Sequence, residues 1–260
     1  MLMTLPYVPT NHTEASDLLT KLNQAGVEKG LSLNVKKTKL IHIGKHCSPI
    51  LIGQEEVEKV DHFKYLGSIK TEDAYCSKDI RARIGMAKQR MVELTNIWKA
   101  SSISTSLKIR LMKCLVWTVV TYGAEGWTLR KEDMDRINSA EMWMYRRLLR
   151  VSWYEKRTND SILRQLQVDR ELLSTVLKRK LTFFGHTIRN KKCSLMKTVI
   201  QGKIEAKRKP GRPRTHYFEN IKQWTGKTTP DVYGAVNRRD EWRVVVQRAM
   251  WAANTSGDAG

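Results

Sequence analysis

A chain of 260 residues, 41% of them hydrophobic, is long enough to bury a substantial core and too apolar to be disordered by composition. Its 47 basic residues against 26 acidic ones leave a formal net charge of +21, which does not fix a fold but predicts attraction to polyanions, nucleic acid foremost. Cys47, Cys76, Cys114 and Cys193 form no Cys-x-x-Cys pair, residues 1–7 are too short for a signal peptide and no apolar run reaches membrane-spanning length, so zinc knuckles are excluded and an intracellular protein without a membrane partner is expected.

The first periodic segment, 15–26, places Leu18, Leu22 and Ala25 on one helical face, with Gly26 able to cap its end. Alternation over 31–35 and 39–43 predicts two strands, and 50–52 and 63–68 predict two more, so residues up to about 70 read as a small antiparallel α/β unit. After Tyr75 the period changes. Ile80, Ile84, Ala87, Met91, Leu94 and Trp98 predict one long amphipathic helix with Ser77 as its N-cap. A helix over 107–122 points Leu111, Cys114, Leu115, Thr118 and Val119 inward, which makes Cys114 a core thiol. Further helices are predicted over 131–149, over a short stretch capped by Asn159 or Asp160, and over 171–184, the last closed by Gly185.

From Arg189 to Arg214 ten basic residues face one acid, Glu205. Lys207-Arg208-Lys209-Pro210-Gly211-Arg212-Pro213-Arg214 cannot be regular helix, because two prolines bracket a glycine. Short helices are predicted at 218–224 and 231–237, the second capped by Thr229, and a last one over 240–250 with Trp242, Val245, Val246 and Ala249 inward. The fold class expected is therefore mostly α. Residues 1–72 form a small α/β unit, 73–188 a helical domain, 189–216 a basic linker and 217–260 short C-terminal helices.

Two ordered segments carry a resemblance. Gly30-Leu31-Ser32-Leu33-Asn34 with Lys37-Thr38, followed by Phe63-Lys64-Tyr65-Leu66-Gly67, resembles the end of the palm and the primer-grip hairpin of non-LTR (LINE-type) retrotransposon reverse transcriptases. Ile97-Trp98-Lys99, Leu107-Lys108-Ile109-Arg110, Val120-Thr121-Tyr122-Gly123, Trp127-Thr128-Leu129, Leu148-Leu149-Arg150, Phe184-Gly185-His186 and Asp240-Glu241-Trp242-Arg243 continue the likeness through the thumb and beyond, to about residue 250. The resemblance implies RNA and DNA as partners and a nuclear location. It also implies a catalytic aspartate pair upstream of Met1, so the expectation is a truncated RNA-directed DNA polymerase that holds nucleic acid without copying it. Magnesium, the cofactor of intact relatives, then has no carboxylate ligands in this fragment, and no cofactor is expected.

In such polymerases a lysine at the position of Lys37 protonates the leaving pyrophosphate, whereas on the residues alone Lys37 reads as a solvated surface lysine. The hairpin presses on the primer backbone in that family: Lys64 could meet a phosphate, and Gly67 permits close backbone approach. Arg81, Arg83, Lys88 and Arg90 supply cations along the first long helix. Gly211-Arg212-Pro213 resembles the core of an AT-hook, which would lay Arg212 in an A·T minor groove; phosphate contact by Lys207, Arg208, Lys209, Arg212 and Arg214 is the simpler reading. A non-enzymatic AT-hook-like DNA-binding protein and a helical interaction module are the competing functions. His42, His46 and Cys47 read as chance neighbours at a strand end, Trp98, Trp117, Trp127 and Trp143 as core, and His186 as a helix-end histidine.

Overall fold

The structure is a computed structural model that describes residues 12–42, 49–190, 192, 194–201 and 215–255. The chain is mostly helical and divides into two compact units, Met1–Asp79 and Ile80–Gly260.

The first unit opens with α1 (His12–Val27), which packs on strand β2 (Leu51–Ile52). Its small core joins Ala15 to Ile50, Ile52 and Val57. The predicted strand over 31–35 is not formed. Gly30 leaves α1 at φ 71, and the chain runs extended into a 3-10 turn, Val35–Lys37. Asn34 Oδ1 accepts the Lys37 N–H (3.1 Å), while Thr38 Oγ1 donates to the Asn34 carbonyl (3.0 Å). The Asn-x-x-Lys-Thr pattern is thus a capped turn, in which a short polar side chain outcompetes ladder pairing.

Three two-stranded ladders come next rather than one antiparallel sheet. Strand β1 (Lys39–Leu40) pairs in parallel with β4 (Glu58–Lys59), β2 pairs antiparallel with β3 (Glu55–Glu56), and β5 (His62–Tyr65) pairs antiparallel with β6 (Ser68–Thr71). The last is a hairpin, as the resemblance implied, whereas the alternation alone had predicted one strand over 63–68; the turn falls inside that stretch. Leu66 (φ 46) and Gly67 (φ 83) give it a two-residue turn whose twist matches the strands. Asp79, buried in the first turn of α2 (Ser77–Glu93), accepts hydrogen bonds from Ser68 Oγ (3.2 Å) and the Ile69 N–H (2.9 Å), so the hairpin is tied to that helix.

In the second unit the helix predicted over 77–98 is interrupted at Leu94, and from α3 (Thr95–Lys99) the Trp98 indole donates to the Met91 carbonyl (2.8 Å). The predicted 107–122 helix consists of α4 (Thr105–Met112), a π-helical turn at Lys113–Trp117, and α5 (Thr118–Val120). The buried residues are Ile109, Met112, Val116, Trp117 and Val120, one position away from the predicted face. Cys114 is consequently exposed and is not a core thiol. The offset is already present at Ile109 and Met112, before the π turn, and the buried set continues at helical spacing through Val116 and Val120.

Helix α6 (Lys131–Leu149) buries Ile137, Ala140, Met144 and Leu148 and ends at Arg150 in the left-handed region. Helix α7 (Asn159–Leu166) is capped by Thr158, whose Oγ1 accepts the Ser161 N–H (3.3 Å), rather than by Asn159 or Asp160. Helix α8 (Leu172–Arg189) is the axis of the unit, packing on α6 and on the C-terminal helices. Gly185 does not end it. That glycine is a notch in mid-helix, where a Cβ would stand 2.5 Å from Trp242 Nε1. Helix α9 (Ser194–Gln201) lies within the stretch 189–216. Then come α10 (Tyr217–Thr225), α11 (Thr229–Asn237, with Thr228 at its N-cap) and α12 (Arg239–Thr255). Trp242, Val245, Val246 and Ala249 of α12 are buried as expected, against Leu181, Phe184 and Ile188 of α8. Phe184 meets Phe218 and Trp242 with ring centroids 5.8 Å apart in each pair.

Candidate nucleic-acid interface

On α2, Arg81, Ile84 and Lys88 recur at helical spacing, and on α6 Asp135, Arg136, Ser139, Ala140 and Trp143 do the same. Together these two faces line an open cleft of about 420 Å³. Ile84 and Ala140 form its apolar floor, both buried. Arg136 is positioned by its own helix: it meets the buried carboxylate of Asp133 at 3.0 Å and Glu132 at 3.5 Å. Trp143 is half-buried, with Lys88 Nζ 5.3 Å and the Arg147 guanidinium 6.0 Å from its ring centre. It departs from Trp98, Trp117 and Trp127, which are core residues as expected. Two cations at one half-buried aromatic ring, with Arg81 and Arg136 in the same lining over an apolar floor, can hold phosphates and offer a base a face to stack on. Asp135 is the one carboxylate in the lining and sets a limit on how an anion can lie there.

The residues singled out from sequence separate into several places. Arg81 and Lys88 belong to the cleft. Arg83 does not, because it is buried and its guanidinium stacks 4.2 Å above the Tyr122 ring; its charge supports helix packing rather than an exposed contact. Arg90 is exposed and pairs with Glu93 on its own helix (3.0 Å). Lys64 stands exposed on β5, between the half-buried Phe63 and Tyr65, and Gly67 forms the hairpin turn. Lys37 is exposed in the capped turn after Asn34. His186 is exposed in the last turn of α8. Lys207, Arg208, Lys209, Arg212 and Arg214, with the whole Gly-Arg-Pro motif, lie outside the described residues, as do Met1 to Leu5, His46, Cys47 and Cys193. Among the described residues, no three His, Cys, Asp or Glu side chains come together to hold a metal ion. No helix among them is long and apolar enough to cross a membrane.

Two buried polar sites escaped the sequence. Lys180, with no exposed surface, donates to the Trp127 carbonyl (2.7 Å) and to Asn220 Oδ1 (3.0 Å), and lies 4.0 Å from the centre of the Tyr217 ring. Asn220 also accepts from the Leu129 N–H and donates to the Leu129 carbonyl, both at 2.8 Å. Glu141, equally buried, accepts at Oε1 from the N–H groups of Glu171 (2.8 Å) and Leu172 (3.1 Å), which caps α8 from the side of α6. The available signal was a charged residue at an apolar-face position: Lys180 stands between Leu177 and Phe184, and Glu141 between Ile137 and Met144.

Among known proteins, a transposon-derived protein of Caenorhabditis elegans is 26% identical over 257 aligned residues, covering 92% of this chain and 91% of the relative. The likeness supports a mobile-element origin for the chain. No family model matches it, and no solved structure does.

Proposed function

We propose that this chain is the nucleic-acid-holding part of a LINE-type reverse transcriptase, with a primer-grip-like hairpin followed by a thumb-like helical bundle. The α2/α6 cleft carries the proposal, because it joins Arg81, Lys88 and Arg136 to the accessible ring of Trp143. The order of parts supports it: the β5–β6 hairpin, tied to α2 through Asp79, precedes the helices that form the cleft. The physical mechanism is backbone tracking. Arg81 and Lys88 neutralise phosphates, Arg136 is held ready by Asp133, and an unstacked base lies against Trp143. Because these groups stand on helices their backbone positions are fixed, and Arg136 is further held by Asp133.

The chain contains no adjacent aspartate pair, so primer extension is not expected of it alone. The test is titration of single-stranded RNA, single-stranded DNA and a primed duplex by fluorescence anisotropy. The paired substitution Arg81→Gln/Lys88→Gln should weaken binding by at least about 10-fold and make the salt slope shallower by about 1 to 2. Trp143→Ala should cost about 1–3 kcal/mol on single strands, with a smaller effect on duplex. Unchanged affinity and slope in both variants overturn the assignment, and primer extension by the purified chain overturns its non-catalytic part.

A further inference from the structure

A second set of cations gathers where α8 ends and α12 begins. Arg189, the last residue of α8, donates through Nη1 to the Val236 carbonyl in the last turn of α11 (2.9 Å). The same nitrogen lies 3.1 Å from the point where a Cβ on Gly185 would stand, beside the Trp242 indole. That indole is itself fixed by a hydrogen bond to the Leu181 carbonyl (3.0 Å). Arg189 is therefore laid across the α8–α12 notch, held at one end and beside Trp242, which two cationic residues bracket. Those residues are Arg239 and Arg243, one helical turn apart on the same side of α12, both exposed.

The local acids neutralise this group only in part. Asp240 pairs with Arg243 at 3.3 Å, through a carboxylate that is itself almost fully exposed, and Glu241 pairs with Arg238 at 2.7 Å. Neither carboxylate serves Arg239. Arg239 opens a 17-residue helix, where the helix dipole presents positive charge and disfavours a cation, and Arg243 stands in its second turn. Partial burial, and then the charges of Arg239 and Arg243, hold the Arg189 guanidinium below its ordinary pKa. The charges of Arg239 and Arg243 thus act against that of Arg189, in a notch whose backbone is fixed by packing, with Asp240 and Glu241 offsetting part of the positive charge. A bound phosphate relieves that repulsion and matches the planar fork of an arginine.

We propose that Arg189, Arg239 and Arg243 form a phosphate-binding corner that takes the backbone of a nucleic-acid strand. The corner rests on the reading that this chain binds nucleic acid, but it uses none of the cleft residues and lies on different helices. It makes the contact two-point: the cleft offers a base-stacking surface, and the corner offers phosphate binding alone. The corner should accordingly be indifferent to sequence and to strand number.

The experiment uses the full chain with the paired substitution Arg239→Gln/Arg243→Gln, both on the surface, and a fluorescent oligonucleotide of about 20 nucleotides, as single strand and as duplex, across a salt series. Thermal unfolding at the wild-type temperature shows that the variant folds. Affinity should fall by at least about 10-fold on both nucleic acids, with a salt slope shallower by about 1.5 to 2 on duplex. Asp240→Asn, which releases Arg243, should tighten binding instead. In a parallel arm inorganic pyrophosphate should raise the unfolding temperature of the wild type and not of the paired variant. An unchanged salt slope in the paired variant, or equal stabilisation of both proteins by pyrophosphate, overturns the corner. Its failure is distinct from failure of the cleft: if Arg81→Gln/Lys88→Gln binds normally while Arg239→Gln/Arg243→Gln does not, the cleft reading falls and the corner stands.

Discussion

Glu141 shows how one buried carboxyl ties stability to pH. Burial is the largest influence on it and raises its pKa from the ordinary 4.5 to about 7; the bonds from the Glu171 and Leu172 N–H groups and from the Tyr145 hydroxyl (3.2 Å) oppose that rise in part. Its Oε2 is buried without a hydrogen-bond partner among the described residues. The folded protein keeps this proton at a pH where the unfolded chain has released it, so the associated stability is complete below about pH 4.5 and is lost as pH rises through about 7. The displacement corresponds to about 3 kcal/mol. Thermal melts from pH 5 to 8 should show Tm falling in the wild type and a flatter profile in Glu141→Gln; parallel profiles would refute the assignment. Gly185 gives a second test at this scale. In an ordinary helix interior Gly→Ala stabilises by about 1 kcal/mol. Here the new Cβ meets an indole that its bond to Leu181 prevents from yielding, so Gly185→Ala should instead destabilise by about 1–3 kcal/mol in urea unfolding.

Among the elements, α4 and α5 depart furthest from expectation. The buried face runs through Ile109, Met112, Val116 and Val120 rather than Leu111, Leu115 and Val119, and Cys114 is exposed. A thiol reagent should therefore label Cys114 in the folded protein at a rate close to that of the unfolded chain, and Cys114→Ser should leave stability within about 0.5 kcal/mol. Helices α8 and α10 are joined by the Lys180–Asn220 pair, and Asn220 also binds the backbone at Leu129, 91 residues earlier in the chain. Asn220→Ala removes three hydrogen bonds from a site without water access and should cost about 3 kcal/mol or more by chemical denaturation. Asn220→Asp keeps the acceptor for Lys180 and for the Leu129 N–H, losing only the donor to the Leu129 carbonyl, and should cost less. Equal losses in the two variants would show that the amide fills space rather than organising the three segments.

Across the whole molecule, packing is uneven. The Met1–Asp79 unit has two-residue strands and a core of Ala15, Ile50, Ile52 and Val57, whereas the aromatic cluster of Phe184, Phe218, Tyr233 and Trp242 sits within a much larger buried group in the Ile80–Gly260 unit. Local opening follows the amount of apolar surface that must be exposed. Amides of α8 and α12 should exchange hydrogen at least about 100-fold more slowly than those of α1 and the β1–β4 ladder; comparable rates in the two sets would refute this. The charge of +21 acts at the same scale, but it is not all available to a ligand. Arg83 is stacked on Tyr122, Lys180 is buried, and Arg146 and Arg179 bind the carbonyls of Arg157 and Thr121 at 2.7 and 3.0 Å.

Sequence by itself determined what is local. Apolar residues at spacings of three and four placed α2, α6 and α12, because a helix period is written in neighbouring residues; alternation over 63–68 marked β structure there but not the turn at Leu66-Gly67 that divides it. The cations on α2 were legible as residues, but not as a cleft, since Arg136 and Trp143 come from a helix some fifty positions later. Tertiary structure alone decided that Gly185 is a packing notch instead of a helix end, and that Arg83 is a core cation. It also brought Arg189 to Arg239 and Arg243. Each of those outcomes depends on which distant surface a side chain meets, and that is settled by how helices dock, not by the period within any one of them.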